Sequence, residues 1–178
     1  PLNIGYVGAY TRKLFDNEVN IHLFKDVNVL LGKAKSVKPD VVGFSFYYWN
    51  TNLNCFVVRQ IRALYKDDVR IVFGGPSIDS INEEHRKLLV RFPEVDLFVE
   101  GEGEIGFSSF IERVLSTPDK VFEDPIDSSF FHEDGEIVKG SETGFTLPLT
   151  DVPSPYLNGY LDEFLARSYM PLLQATRM

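Results

Sequence analysis

Residues 70–80 read RIVFGGPSIDS. Four residues with the character of a buried strand run straight into Gly74-Gly75-Pro76, so two successive side chains are absent where the strand ends. Outward from this stretch the same grammar repeats. Upstream, "KPD" introduces VVGFSF, and downstream VDLFVE leads into a second glycine loop, GEGE. Short, nearly all-apolar runs of this kind suit strands covered on both faces. Between them lie amphipathic stripes at helical spacing: Leu53, Phe56, Val57, Ile61, Leu64 and Tyr65; then Ile78, Ile81, Leu88 and Leu89; then Phe107, Phe110, Ile111, Val114 and Leu115. Asn50, Thr51 and Asn52 offer N-caps for the first of these helices.

Toward the N-terminus, NIGYVGAY admits a strand with a glycine loop. A helix from about Leu2 to Phe15 is the preferred reading, with Pro1 at its start and Ile4, Val7, Tyr10 and Leu14 as its stripe. Asp16-Asn17 then turns the chain. EVNIHLF alternates Val19, Ile21 and Leu23 with polar residues and reads as a strand containing His22. A helix follows from Asp26 to Ala34. A chain opening on a helix in this way is expected to lack a preceding strand.

Alternation of strand and helix with short loops calls for a doubly wound parallel α/β sheet, right-handed at its crossovers. This unit is expected over residues 1–117. Over 118–178 the pattern changes to a β-hairpin and a linker. Phe130-Phe131 face Ile137-Val138 across a turn at Asp134-Gly135. Closely spaced prolines from Pro148 then mark an extended connector with a short helix at Leu161–Leu165, and MPLLQATRM is read as the start of a further strand.

Composition narrows the function. Apolar content of 44% and charged content of 25% describe a soluble globular protein. A formal charge of −8 disfavours nucleic acid as the main partner, because phosphate backbones select Lys and Arg. No run has the length of a membrane span and no leader is evident, so cytoplasm is the expected location. Cys55 alone makes no disulfide framework or cysteine-rich metal site, and it reads as a small packed hydrophobe.

In an open parallel sheet, ligands bind beyond the carboxyl ends of the strands. Three loops leave those ends. Ser45 with Tyr47, Tyr48, Trp49 and Asn50 forms the first. Three aromatic residues in a row cannot share one core, so at least one ring is exposed or lines a cavity, or else they form a satellite cluster under the hairpin. Gly74, Gly75 and Pro76 form the second loop. This is not G-x-G-x-x-G. Two readings stay open for it: a tight strand-to-helix turn with Pro76 starting the helix, or close approach of an extended ligand. Glu100, Gly101, Glu102 and Gly103 form the third, with Glu104 after them. These carboxylates read mostly as partners of a helix dipole and would repel a phosphate-rich ligand. His85 is placed on a polar helix face, His132 in the hairpin, and no histidine has metal-ligand spacing.

Taken together, KPDVVGFSFYYWNTN, IVFGGPSIDS, VDLFVEGEGEIGF, LPLTDVPSPYLNGYLDEF and PLLQATR resemble, in order and spacing, the N-terminal part of cobalamin-binding radical SAM proteins, including relatives of the anaerobic magnesium-protoporphyrin monomethyl ester cyclase. The resemblance implies a Rossmann-like, cobalamin-binding sheet. It implies that Ser45, Gly74, Gly75 and the Gly101–Gly103 loop surround the cobalamin nucleotide tail, and that the Tyr47–Trp49 loop lies near the lower face of the corrin. It implies a radical SAM barrel in the same polypeptide, carrying a [4Fe–4S] cluster and S-adenosylmethionine, with oxidoreductase or methyltransferase chemistry, and a chain that ends just before the cluster cysteines. Cobalamin mutases carry D-x-H-x-x-G, whose His ligates cobalt. Asn20-Ile21-His22-Leu23-Phe24-Lys25 lacks both the Asp and the Gly, so His22 is a poor cobalt ligand. A scaffold that has lost the cofactor is the alternative. A phosphorylation receiver is disfavoured because the strand ends carry Ser45, Gly74 and Glu100 rather than clustered Asp.

Overall fold

A computed structural model describes residues 2–78, 82–142, 147–166 and 171. The helix α1 (Leu2–Phe15) comes first, then α2 (Val27–Ser36), β1 (Val41–Ser45), α3 (Thr51–Tyr65), β2 (Arg70–Gly74), α4 (Asn82–Arg91), β3 (Leu97–Val99), α5 (Gly103–Ser116), the hairpin β4 (Ser129–Glu133) and β5 (Glu136–Lys139), and the short α6 (Asp162–Ala166). Strands β1, β2 and β3 are parallel neighbours in sequence order. The hairpin joins the same sheet, β4 antiparallel to β3, giving the order β1-β2-β3-β4-β5. The doubly wound α/β architecture expected from the sequence is therefore present, with an antiparallel extension on one side. MPLLQATRM lies outside the described residues, apart from Pro171, which is not in a strand.

The apolar strands bury both faces. Ile71 and Phe73 point toward α2, α3 and α4, where they meet Val57, Val58, Ile61 and Phe92. Val72, Leu97 and Val99 point the other way, toward Phe110 and Ile111 of α5. Helix α1 shares that second side and is packed against α5. Its first turns are clamped by the C-terminal connector, with Leu2 and Tyr6 buried against Val152, Leu161 and Phe164.

Local signals account for several boundaries. Asp26 caps α2, its carboxylate accepting from the backbone N–H of Asn28 at 2.8 Å and of Val29 at 3.1 Å. Asp134 and Gly135 both have positive φ, 48° and 90°, as a two-residue hairpin turn of the primed type requires. Across the hairpin Phe131 faces Val138 as expected, while Phe130 faces Lys139. Arg62 braces the end of α3. It donates to the carbonyls of Glu94, Lys66 and Val69 and to the Asp96 carboxylate at 2.6 Å. Burial pushes the Asp96 carboxyl up, against the opposing pull of the Ile71 N–H and of Arg62.

Four expectations are corrected. Residues 19–24 belong to no strand, because among the described residues no strand lies beside them to complete a ladder, and His22 is exposed there. The buried face of α1 carries Leu2, Gly5, Tyr6, Gly8, Ala9 and Thr11, not the Ile4–Val7–Leu14 stripe. In α3, Val57, Val58 and Ile61 are buried while Leu53, Phe56 and Leu64 are largely exposed. His85 is on the buried side of α4, with its ring stacked on Phe130 at 3.9 Å.

Candidate functional site

The open edge of β1 borders a cleft of about 1350 Å³. One wall is α1 and α5, contributing Ile4, Val7, Phe107 and Ile111; the other is α2, contributing Leu30 and Ala34. The segment 18–24, which leaves the turn after α1, forms the far side. This explains the misread stripe of α1: Ile4 and Val7 are apolar because they line the cleft.

At the carboxyl end of the strands the cleft is bounded by Ser45, Gly74, Gly75, Pro76, Glu100, Gly101, Glu102 and Gly103. Three separate loops thus converge there, as the position beyond the strand ends requires. Gly75 has φ of 136°, and a β-carbon on it would lie 2.8 Å from the Phe46 carbonyl oxygen. Its missing side chain is therefore demanded first by its own chain, which crosses it closely and donates from Phe46 N–H to the Gly74 carbonyl at 2.7 Å. Gly74 has room for a β-carbon in ordinary contact with Val99. Pro76 does not begin a helix; the turn closes from Ile78 N–H to the Gly75 carbonyl, and α4 begins at Asn82.

Glu100 does not stand at a helix start as expected. It follows β3 and is buried, with Oε1 2.8 Å from His85 Nε2 and Oε2 3.4 Å from Lys139 Nζ. Burial pulls the Lys139 ammonium down, yet its hydrogen bond to Glu142 and the Glu100 charge outweigh this and hold it above the usual lysine range. The Glu100 carboxylate is therefore flanked by the His85 imidazole and the Lys139 ammonium. Helix α5 begins only at Gly103, with Glu104 in its first turn. Helical spacing already contained the clue to His85: His85, Leu88 and Leu89 fall on one face.

The first loop does two jobs. Asn50 is spent on the turn itself: its Oδ1 accepts from Tyr47 N–H at 2.9 Å and its Nδ2 donates to the Ser45 carbonyl at 2.9 Å. Asn54 Nδ2 donates to the same carbonyl, a contact that sequence reading missed. Tyr47 stacks on Trp49 at 4.6 Å and its hydroxyl accepts from Asn3 Nδ2. Tyr48 and Trp49 are 82% and 80% exposed, so this turn holds two large rings out in solvent. Neither borders the cleft itself. Among the described residues no cluster of His, Cys, Asp and Glu could hold a metal ion, and no helix is long and apolar enough to cross a membrane. Cys55 packs against the core as expected, and burial pushes its thiol up.

No protein-family model matches the chain. It is 30% identical over 131 residues to the cobalamin-dependent radical SAM methyltransferase TokK of Streptomyces tokunonensis, which covers 73% of this chain and 18% of that protein. It is likewise 30% identical over 129 residues to the 2-(S-pantetheinyl)-carbapenam-3-carboxylate methyltransferase of Streptantibioticus cattleyicolor, covering 72% of this chain and 18% of that enzyme. The chain therefore spans about a fifth of the length of these curated relatives. An α/β sheet with glycine loops at its carboxyl edge and this kinship agree, and the chain is related to the cobalamin-dependent radical SAM proteins, matching one domain-sized segment of them.

Proposed function

We propose that this chain is a cobalamin-binding domain and that the carboxyl end of the cleft takes the nucleotide tail of the cofactor. Convergence of the three loops on one end of the cleft is the observation that carries this reading. Ser45 would offer its hydroxyl and the Gly74–Pro76 and Gly101–Gly103 loops their backbone, which approaches a ligand closely where side chains are small. Glu100 would stay out of the tail's way, held by His85 and Lys139. The neighbouring turn would present Tyr48 and Trp49 as a platform for the flat lower face of the corrin.

Bound cobalamin would supply a methyl carrier or an electron partner, and the protein's part is to bind and orient it. The first-loop carbonyl of Ser45, tied to Asn50 and Asn54, fixes the height of the aromatic platform above the strand ends. His22, exposed and outside any D-x-H-x-x-G context, is not assigned to cobalt. In the whole polypeptide, the reaction would be a methyl transfer or related radical chemistry with a [4Fe–4S] cluster and S-adenosylmethionine held by a radical SAM barrel, and the substrate would be chosen there.

Hydroxocobalamin mixed with the protein and followed through gel filtration by its visible spectrum tests the reading. Corrin absorbance should co-migrate with protein, and the His22→Ala variant should retain the same spectrum. Protein emerging colourless would favour the cofactor-free scaffold, a reading that the self-contained packing of Gly75 and Asn50 supports.

A further inference from the structure

Helix α1 is held by different parts of the molecule at its two ends. Toward its carboxyl end, Thr11 is buried against Ser108 of α5, with the two hydroxyls 3.4 Å apart. Phe15 packs there into the apolar cluster of Val72 and Leu97 on the sheet. Toward its amino end, Leu2 and Tyr6 pack instead on Val152, Leu161 and Phe164 of the connector. That cluster is separate from the two that cover the faces of the sheet.

The connector is built to lift as a piece. Its regular structure over residues 147–166 is one 3-10 turn (Leu149–Asp151) and the short α6. Backbone hydrogen bonds close within it, from Val152 N–H to the Leu149 carbonyl and from Leu165 N–H to the Leu161 carbonyl. It meets α1 through apolar side chains and through Lys13 Nζ, which donates to the Asp151 carbonyl at 2.7 Å. A segment attached in this way can open without disturbing the strand ladders. Gly5 marks the tightest approach: a β-carbon there would lie 3.0 Å from Pro155 Cβ and 3.2 Å from Leu161 Cδ2. A β-carbon on Gly8 would meet Ile21 and Leu23 in ordinary contact, at 3.5 Å. Glycine at both positions weakens the helix on its own account, so the first two turns of α1 depend on the connector for their order.

Those same turns lie over the carboxyl end of the cleft. Asn3 Nδ2 donates to the Tyr47 hydroxyl of the first loop at 2.8 Å. Val7 reaches the third loop, where a β-carbon on Gly103 would lie 3.0 Å from its Cγ2. Ile4, between them in sequence, borders the cleft itself.

We infer that the connector and the first two turns of α1 form one gate on the cleft. Docked, the connector keeps residues 2–8 helical and drawn across the carboxyl end, between Tyr47 and Gly103. When it lifts, these turns unwind and that end opens, while Thr11 and Phe15 keep the rest of α1 in place. The gate governs access whatever ligand the cleft takes, so it stands apart from the cobalamin reading.

Thiol labelling without any cofactor reads the gate directly. With Cys55→Ala removing the native thiol, Ser45→Cys places one at the carboxyl end of the cleft, and dithionitrobenzoate reports how often that end opens. Phe164→Ala empties the connector cluster and should speed labelling at least about tenfold. Gly5→Leu should also speed it, because leucine favours the helix yet leaves no room for Pro155. Gly8→Ala favours the helix without a clash and should slow it. Rates unmoved by these changes, or slowed by Gly5→Leu, overturn the gate. Residue-resolved amide exchange on the unaltered protein needs no variant to fold. Tyr6, Val7 and Leu165 should share one opening equilibrium, at least about tenfold more populated than that of Phe73 on β2. Separate values for α1 and the connector, or one value shared with Phe73, overturn it as well.

Discussion

The two flanks of β2 are built from similar apolar strands and end differently. Toward β3 the sheet is sealed. Phe98 stacks on Phe130 at 5.1 Å and Phe130 on His85 at 3.9 Å, and the hairpin supplies the next ladder. Toward β1 the same kind of strand meets a cleft, with Gly43 exposed and Ile4 and Val7 lining open space. Sequence character alone does not decide between a sealed and an open flank. What decides is whether a neighbouring strand completes the backbone edge, and among the described residues the candidate ligand site lies on the flank where none does.

If that contrast is right, substitutions on the sealed flank cost stability and those at the open end cost binding. The largest effect is expected for Phe130→Ala, which empties the space between Phe98 and His85; a loss of about 4 kcal/mol in denaturant unfolding follows from burial of this size. Arg62→Ala leaves the Asp96 carboxylate with only the Ile71 N–H and removes a donor from three carbonyls, and should cost about 3 kcal/mol by the same measurement. Gly75→Ala places a β-carbon against the Phe46 carbonyl at positive φ, with an expected cost of about 2 kcal/mol. That substitution also probes both flanks at once, since it sits on the cleft rim.

Lys139 adds a pH signature to the sealed flank. Its folded pKa is raised, so its contribution is complete below the ordinary value of 10.5 and is lost as pH rises through the higher folded value. Alkaline unfolding should lose that limb in Lys139→Met, and an unchanged alkaline limb would remove Lys139 from the Glu100 cluster. The smallest stability effect is expected for Trp49→Ala, within about 0.5 kcal/mol because the ring is exposed, together with clearly weaker binding of hydroxocobalamin.

Legibility in the sequence followed the range of the interactions. Helix α2 was readable because Asp26 caps it locally, and the hairpin turn because Asp134-Gly135 permits positive φ. The three carboxyl-edge loops stood out because glycines and consecutive aromatics break the buried pattern. Residues 19–24 have the period of a strand, yet a ladder needs a partner, and no local pattern supplies one. The α1 and α3 stripes misled for a related reason. Ile4 and Val7 line a cleft and Leu53 and Phe56 are exposed, so apolar spacing marked faces that the core does not use. The pairing of Glu100 with His85 and Lys139 joins three elements far apart in sequence, and only the fold brings them together.

Trp49 is the only tryptophan in the chain, which makes it a direct reporter on the central claim. Corrin absorbance overlaps tryptophan emission, so titration with hydroxocobalamin, corrected with free tryptophan, reads binding at the carboxyl edge. Saturable quenching at one cofactor per chain, abolished by Ser45→Phe in a variant with an unchanged unfolding midpoint, is the expected result. Quenching no greater than that of free tryptophan, or undiminished in Ser45→Phe, would contradict the placement of cobalamin at this end of the cleft.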